Sequence, residues 1–160
     1  ERIYREGTPV EVIDAAMREA IFPLGPFELG DQAGLDIAAG MFDTIAAAAP
    51  IDPPPLVWQL REAKRFGVKS GAGVYDYADG KRTHVWPGLA ALVPGRGSRV
   101  AAKDEIVTRC AQALYRKARE LCERKIVGSE EECDLAFVFG IGFAMYLGGP
   151  MFYARQRGWT

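Results

Sequence analysis

The stretch that decides the fold of this chain reads Phe22-Pro23-Leu24-Gly25-Pro26-Phe27 and continues to Gly34. An altered copy near the C-terminus reads Phe143-Ala144-Met145-Tyr146-Leu147-Gly148-Gly149-Pro150 and continues to Gly158. In both copies a second glycine follows the proline of the Gly-Pro pair at the same interval of eight residues. This spacing is typical of a short helix with proline at its first position and glycine just past its end. The sequence therefore predicts two related helical units and an all-α fold.

Each copy is preceded by a signal for the start of another helix. The segments 8–11 and 129–132 both match the capping box, in which a hydroxyl and a carboxylate bind free backbone amides. Behind the first box, apolar residues at three- and four-residue steps predict one buried stripe, formed by Val10, Ile13, Met17 and Ala20. An aspartate also follows each box, Asp14 in the first and Asp134 in the second.

The remaining segments give the division of the chain. The alanine-rich run 35–49 predicts a helix ended by Pro50, and Pro53-Pro54-Pro55 starts a helix that ends at Gly67. Neither helical nor strand periodicity persists from 77 to 100, whereas a long helix is expected over about 103–127. We therefore predict a first repeat over residues 1–77, a linker over 78–100 and a second, degenerate repeat over 101–160.

The two repeats differ at their starts. If Gly7 matches Gly128, a leading helix of roughly twenty residues is missing from the first repeat and would stand before Glu1. We therefore expect this chain to begin in the middle of a repeat.

Composition narrows the class of protein. The chain has 160 residues, of which 49% are hydrophobic, enough for a buried core. Lys+Arg 20 against Asp+Glu 21 leaves a net charge of -1, so nothing general favours nucleic acid or an anionic membrane as a partner. No signal peptide and no apolar run long enough to cross a membrane are recognisable, which favours a cytoplasmic location.

Motifs for self-contained catalysis or metal binding are missing from the sequence. The three Gly-x-Gly pairs lack the third glycine of a dinucleotide-binding loop, and no Ser/His/Asp set occurs. The one histidine, His84, lies in the predicted linker without an expected orienting partner. The three cysteines, Cys110, Cys122 and Cys133, lack Cys-x-x-Cys spacing and are expected to be small buried apolar side chains. We expect no catalytic residue and no metal ligand in this chain.

One loop is a candidate for ligand binding, and it reads Gly67-Val68-Lys69-Ser70-Gly71-Ala72-Gly73. Its last two glycines bracket a small residue, which lets a backbone approach a ligand closely, while Lys69 supplies a cation and Ser70 a hydroxyl. The alternative is a plain helix-ending loop, preceded by basic residues that complement the helix dipole, namely Arg61, Lys64 and Arg65. The residues alone leave both interpretations open.

Several motifs follow one another in a specific order along residues 7–77. They are Phe-Pro-Leu-Gly-Pro-Phe-Glu-Leu, Asp-x-x-Gly-Leu-Asp, a proline run, and Arg-Phe-Gly-x-Lys-Ser-Gly-x-Gly-x-Tyr-Asp-Tyr. In this order they resemble the C-terminal domain of the NAD-dependent 3-hydroxyacyl-CoA dehydrogenases. The segments 140–143 and 148–150 resemble the second, degenerate copy of that domain in longer and multifunctional members.

The resemblance implies a division of labour with an N-terminal Rossmann domain. In the family that domain binds most of the NAD and supplies a histidine and a glutamate that handle the proton of the substrate hydroxyl. An asparagine on the leading helix of the helical domain helps to position the thioester. All three residues are expected before Glu1, and Thr108 stands in the asparagine's place in the second copy, at a buried position with a packing role. Lys69 matches the lysine that reaches toward NAD, so it is the one cofactor-binding residue expected here.

The resemblance also implies a function. It is that of the C-terminal part of an enzyme of fatty acid β-oxidation, which converts an (S)-3-hydroxyacyl-CoA and NAD to the 3-oxoacyl-CoA and NADH. This part would close the substrate cleft, mediate pairing of subunits or of the two repeats, and be inactive alone. Its expected partners are the acyl-CoA substrate and its own Rossmann domain, without nucleic acid or membrane. The alternative is a non-catalytic helical dimerisation module that kept the fold and lost the ligand contacts.

Three carboxylates near the motifs, Glu28, Asp31 and Asp36, could be mistaken for an acid pair. At the first turns of short helices such groups usually serve caps and helix dipoles. We therefore expect them to have structural roles.

Overall fold

In the computed structural model, which describes residues 1–48 and 55–159, the chain is mostly helical and the described part contains a single two-stranded sheet. The helices are α1 (Arg2–Glu6), α2 (Val10–Ala20), α3 (Pro26–Ala33), α4 (Leu35–Ala48), α5 (Pro55–Glu62), α6 (Lys103–Glu123), α7 (Glu130–Ile141) and α8 (Pro150–Gln156). Short 3₁₀ helices cover Val68–Ser70, Pro87–Leu92 and Met145–Leu147. The all-α prediction is confirmed, while Pro50, Pro53 and Pro54 lie outside the described residues.

The predicted Gly-Pro helices form in both copies. Helix α3 begins at Pro26 and α8 begins at Pro150. Gly34 and Gly158 stand just beyond their ends with φ of 96° and 67°, values that favour glycine. The second capping box is confirmed as well, because the Glu132 amide donates to the Ser129 hydroxyl oxygen and the Glu132 carboxylate accepts from the Gly128 amide.

The chain divides into two compact units, each made of two stretches. Unit 1 comprises Glu1–Asp14 and Pro26–Val100, and unit 2 comprises Ala15–Gly25 and Ala101–Thr160. These boundaries differ from the predicted division at residues 77 and 100. Residues 78–100 belong to unit 1 rather than to a linker, and residues 15–25 from the first repeat belong to unit 2.

Unit 1 packs helices against a small hairpin. Strands β1 (Tyr75–Ala78) and β2 (Lys81–Val85) pair antiparallel through a turn at Asp79 and Gly80, which have φ of 50° and 73°. Four of the five β2 residues are exposed, so this strand shows no alternation of apolar and polar residues. The hairpin therefore leaves no strand signal in the sequence and was not predicted. The buried apolar side chains of unit 1 include Ile3, Val10, Ile13, Leu35, Leu56, Leu60, Val74, Tyr75, Leu89 and Val93.

Unit 2 is built on α6, which ends at Glu123 rather than at the predicted Val127. Lys125, with φ of 54°, takes the chain out of the helix. Residues of α6, α7 and α8 form a buried cluster of Ala118, Cys133 and Met151. No helix in the described ranges is both long and apolar enough to span a bilayer.

The segments that precede the two Gly-Pro pairs meet inside unit 2. The Ala144 amide donates to the Ile21 carbonyl at 2.8 Å. The rings of Phe22 and Phe143 pack edge to face, with their centroids 5.7 Å apart. Equivalent segments of the two copies therefore contact each other directly.

Candidate functional site

A buried carboxylate from α3 holds the chain that follows the glycine loop. Asp31 accepts hydrogen bonds from the amides of Val74 and Tyr75, at 2.8 and 3.0 Å, and from the Tyr77 hydroxyl at 3.0 Å. Its side chain is buried, and burial raises the pKa of Asp31, while the amides and the hydroxyl act in the opposite direction. Asp31 thus has a structural role, but it holds the start of β1 rather than the end of a helix as expected.

Close packing against Asp31 explains two glycines of the loop. A Cβ at Gly67 would lie 2.1 Å from the Asp31 carbonyl oxygen, and one at Gly73 would lie 2.2 Å from its carboxylate. A larger residue at Gly67 would require movement of the backbone, and one at Gly73 would displace the hydrogen-bonded Asp31 carboxylate. The close approach that the sequence suggested at Gly73 is thus made to the protein itself.

Ser70 is also used within the loop. The Phe66 amide donates to the Ser70 hydroxyl oxygen at 3.1 Å. That hydroxyl lies 3.0 and 2.9 Å from the carbonyl oxygens of Gly67 and Ala72, which also exchange two backbone hydrogen bonds. The loop is therefore a rigid, internally bonded turn, and Ser70 contributes to its shape.

Lys69 projects from this turn with about half of its side chain exposed, 49%. Its ammonium lies 2.6 Å from the carboxylate of Asp36, which is in the first turn of α4. The hydrogen bond from Lys69 lowers the pKa of Asp36, so the carboxylate is ionised at neutral pH. The Lys69 ammonium is exposed at this loop, and Ser70 is exposed as well but its hydroxyl is hydrogen-bonded within the turn.

The basic residues before the loop have specific partners. Arg65 donates to the Gly73 carbonyl at 2.6 Å, pairs with Asp76 and stacks over the Trp86 ring at 4.3 Å. Arg61 pairs with Asp43 at 2.7 Å. These contacts fix the loop to the hairpin and α5 to α4, which is more than the general complement to a helix dipole that the alternative interpretation assumed.

Sequence reasoning noted Asp14 and Asp134 but missed what they do. Asp14 accepts from the amides of Phe27 and Glu28 at the start of α3, at 2.8 and 3.0 Å. Asp134 accepts from Met151 and Phe152 at the start of α8, at 2.7 and 2.9 Å. Each carboxylate thus caps the Gly-Pro helix of its own copy. The signal was present, because an aspartate preceded each Gly-Pro pair.

Asp14, the cap of α3 in unit 1, accepts one more hydrogen bond than Asp134 does. The Tyr75 hydroxyl donates to Asp14 at 2.7 Å, and the carboxylate is completely buried. Burial raises the pKa of Asp14, opposed mainly by the hydrogen bonds from Phe27 and Tyr75. Burial also raises the pKa of Tyr75.

Other candidates lie away from the loop lysine or at the surface. Thr108 is exposed on α6, so the expectation of a buried packing position is wrong. His84 is 63% exposed and lies 3.1 Å from Asp76. Glu28, in the first turn of α3, lies 3.6 Å from Arg82. Among the described residues, no three His, Cys, Asp or Glu side chains are grouped as a metal site would require.

Unit 2 carries an open apolar groove instead of a polar site. It is lined by residues around the meeting point of the segments that precede the two Gly-Pro pairs, including Ile21, Phe22, Pro23, Phe139, Phe143 and Met145. Phe139, Met145 and Tyr146 are exposed by 74%, 69% and 78%, an unusual amount for large apolar side chains. The groove offers contact area, and its lining includes one basic residue, Arg18.

Comparison with known proteins connects this geometry to one group of enzymes. A family model described as 3-hydroxyacyl-CoA dehydrogenase, C-terminal domain, matches residues 2–77, which include the whole glycine loop and Lys69. Two solved structures share the fold.

The first is the dehydrogenase part of multifunctional enzyme 1 from C. elegans, with a TM-score of 0.64, 18% identity and coverage of 88% of this chain and 33% of that one. The second is 3-hydroxybutyryl-CoA dehydrogenase from Escherichia coli K12, with a TM-score of 0.68, 18% identity and coverage of 97% of this chain and 49% of that one. The chain thus spans about a third to a half of the structures it resembles.

Proposed function

Because this chain belongs, through residues 2–77, to the C-terminal domain family of the 3-hydroxyacyl-CoA dehydrogenases, we propose that it is the C-terminal part of such an enzyme. The complete enzyme would oxidise an (S)-3-hydroxyacyl-CoA to the 3-oxoacyl-CoA in fatty acid β-oxidation, with NAD as hydride acceptor. The observation that carries the proposal is the family match over the segment that contains the rigid glycine loop. Its consequence is a role in completing the substrate cleft.

Lys69 is the residue of this chain proposed to contact NAD. The turn that carries it is held by Asp31 and by its own hydrogen bonds, so the backbone from which the Lys69 side chain projects is well defined. Its present partner, Asp36, is 37% exposed, and an exposed ion pair of this kind contributes little to stability. The ammonium can therefore exchange the Asp36 carboxylate for a diphosphate or ribose oxygen at small cost.

The proton and hydride chemistry is assigned to a Rossmann domain in the same protein. Asp14 is buried as the cap of α3 and Asp31 is buried against the start of β1, and the carboxylate oxygens of both already accept several hydrogen bonds. His84 is exposed at the hairpin and lies next to Asp76. Asp14, Asp31 and His84 are not among the residues that line the apolar groove of unit 2 or the pocket beside Trp86 and Leu89. We therefore propose that this chain alone does not turn over substrate.

Activity measurements test this division. The full-length protein should oxidise 3-hydroxybutyryl-CoA with NAD and reduce acetoacetyl-CoA with NADH, whereas the purified 160-residue chain should do neither. Turnover by the pure chain would contradict the division of labour. A folded full-length protein without either activity would contradict the dehydrogenase proposal.

The role of Lys69 is tested by Lys69→Ala in the full-length enzyme, with Lys64→Ala as matched control. Lys64 is an exposed lysine close in sequence, after the end of α5. Lys69→Ala should raise the KM for NAD several-fold, leave kcat nearly unchanged, and lose its effect as salt rises. Lys64→Ala should change neither constant. A KM for NAD that equals that of the wild type would return Lys69 to a purely structural role.

A non-catalytic helical dimerisation module remains the second candidate. The observation that favours it is the exposed apolar surface of unit 2 around Phe139, Met145 and Tyr146. Sedimentation of the full-length protein and of its Phe139→Ser variant distinguishes the two functions. If the protein is a dimerisation module, it should form a dimer that Phe139→Ser dissociates, and it should have no dehydrogenase activity. If the protein is the enzyme, it should have dehydrogenase activity.

A further inference from the structure

Two cysteines lie where α6 and α7 pack together in unit 2. The sulfur of Cys122, near the end of α6, lies 3.9 Å from the carbonyl oxygen of Ser129, the N-cap of α7. The sulfur of Cys133, on α7, lies 3.8 Å from the carbonyl oxygen of Ala118 on α6. Each thiol therefore reaches the residue one helical turn before the other thiol.

This reciprocal arrangement brings the two thiols together. Cys133 belongs to the buried cluster of Ala118 and Met151, and Cys122 packs against that cluster. After burial, the neighbouring Cys122 thiol is the main cause that raises the pKa of Cys133. The contact joins the end of α6 to the beginning of α7 across the connection 124–129.

The two thiols differ in access. Cys133 is 1% exposed, whereas Cys122 is only partly buried. Burial raises the pKa of Cys133 to about 11, so this thiol keeps its proton at neutral pH. A reagent in solution meets Cys122 first.

We propose that Cys122 and Cys133 form a reversible disulfide site, in which Cys122 reacts with a low-molecular-weight disulfide and Cys133 resolves the product. This site is independent of the dehydrogenase reaction. It would lock α6 to α7 when glutathione disulfide accumulates and release them when thiols return.

The two steps balance with glutathione disulfide as oxidant. In the first step the Cys122 sulfur attacks one sulfur of the reagent, the reagent's S–S bond breaks, and one glutathione leaves with the Cys122 proton. In the second step the Cys133 sulfur attacks the Cys122 sulfur, and the other glutathione leaves with the Cys133 proton. The protein loses two electrons and two protons, which reduce the reagent to two thiols. The proximity of the two sulfurs compensates for the weak acidity of Cys133.

Peptide mass mapping of the full chain after incubation with glutathione disulfide tests the proposal. Trypsin cleaves after Arg124 and Lys125, so a disulfide between Cys122 and Cys133 joins two separate peptides. The wild type and Cys110→Ser should both give this linked pair and lose two hydrogens in intact mass, and dithiothreitol should reverse the change. The oxidised chain should also melt at a higher temperature, because the linkage restrains the unfolded state.

Two variants fix the order of the steps. Cys133→Ala should trap glutathione on Cys122, and Cys122→Ser should leave Cys133 unmodified as long as circular dichroism shows a folded chain. Three outcomes would overturn the proposal: wild-type chain in which all three cysteines stay open to alkylation, glutathione only on Cys110, or uptake by Cys133 in Cys122→Ser at the rate seen for Cys122.

Discussion

Asp14→Asn is the substitution that tests most sharply how unit 1 is held together. Asp14 is fully buried and accepts three hydrogen bonds, from the amides of Phe27 and Glu28 and from the Tyr75 hydroxyl. Asparagine has nearly the same shape but only one acceptor oxygen, and its amide nitrogen is a donor. Whichever way the amide turns, one backbone N–H at the start of α3 then faces another donor.

These contacts determine how much Asp14→Asn should change the free energy of unfolding. A buried donor without an acceptor costs about 1–3 kcal/mol, and the remaining bonds weaken because the acceptor is no longer charged. Removal of a buried charge offsets part of this loss, since burial itself disfavours the carboxylate. We therefore expect Asp14→Asn to lower the free energy of unfolding by about 2 kcal/mol. Asp134→Asn should cost less, because Asp134 is slightly exposed and accepts from two amides without a tyrosine.

Urea unfolding followed by tryptophan fluorescence measures these changes. Trp58 and Trp86 report on unit 1, and Trp159 reports on unit 2. Glu11→Gln, an exposed acid on the same helix, is the matched control and should stay within about 0.5 kcal/mol of the wild type. If Asp14→Asn were no more destabilising than Glu11→Gln, the assignment of Asp14 as the buried cap of α3 would be refuted.

Four further substitutions have expected outcomes. Gly73→Ala should destabilise the chain by more than about 2 kcal/mol, because its Cβ meets the Asp31 carboxylate. Gly40→Ala, which has open space around it on α4, should stabilise the chain by about 0.5–1 kcal/mol. Thermal melts that show both substitutions changing the stability in the same direction would contradict the packing argument. Burial raises the pKa of Tyr77, so its contribution to stability is present below the ordinary tyrosine pKa of 10.0 and is lost as pH rises above it; Tyr77→Phe should therefore flatten the fall in melting temperature at alkaline pH. In the full-length enzyme Asp36→Asn should lower the KM for NAD, because Lys69 no longer has a competing carboxylate, and a raised KM would show instead that Asp36 holds Lys69 in its working position.

The sequence predicted the parts of the fold that depend on local signals. Proline and glycine at a fixed interval identified α3 and α8, and the Ser129 capping box identified the start of α7. These helix-capping residues bind backbone groups only a few residues away, so their spacing can be recognised in the amino-acid sequence alone.

The unit boundaries and the hairpin depended on distant contacts instead. Strand β2 is exposed and lacks alternation, and nothing in residues 15–25 indicates that they pack with residues beyond 100.

The candidate site was predicted in the same uneven way. The position of Lys69 in a glycine loop could be read from the motif, but its partner Asp36 lies 33 residues away in sequence. Gly73 was interpreted as room for a ligand, because a sequence does not show that the Asp31 carboxylate occupies that space. Asp14 and Asp134 were noticed as a repeated feature, yet only the three-dimensional contacts show that each caps the helix of its own copy.

The composition of unit 2 from two distant stretches has a consequence for the synthesis of the protein. Residues 15–25 leave the ribosome well before the segments that pack against Ile21 and Phe22, which are translated more than 100 residues later. During elongation these apolar side chains stay without their native neighbours, which is the situation in which nascent chains bind chaperones or aggregate. A ribosome stalled after residue 100 should therefore carry a nascent chain whose α2 is open to chaperone capture, and completion of α8 should end that capture.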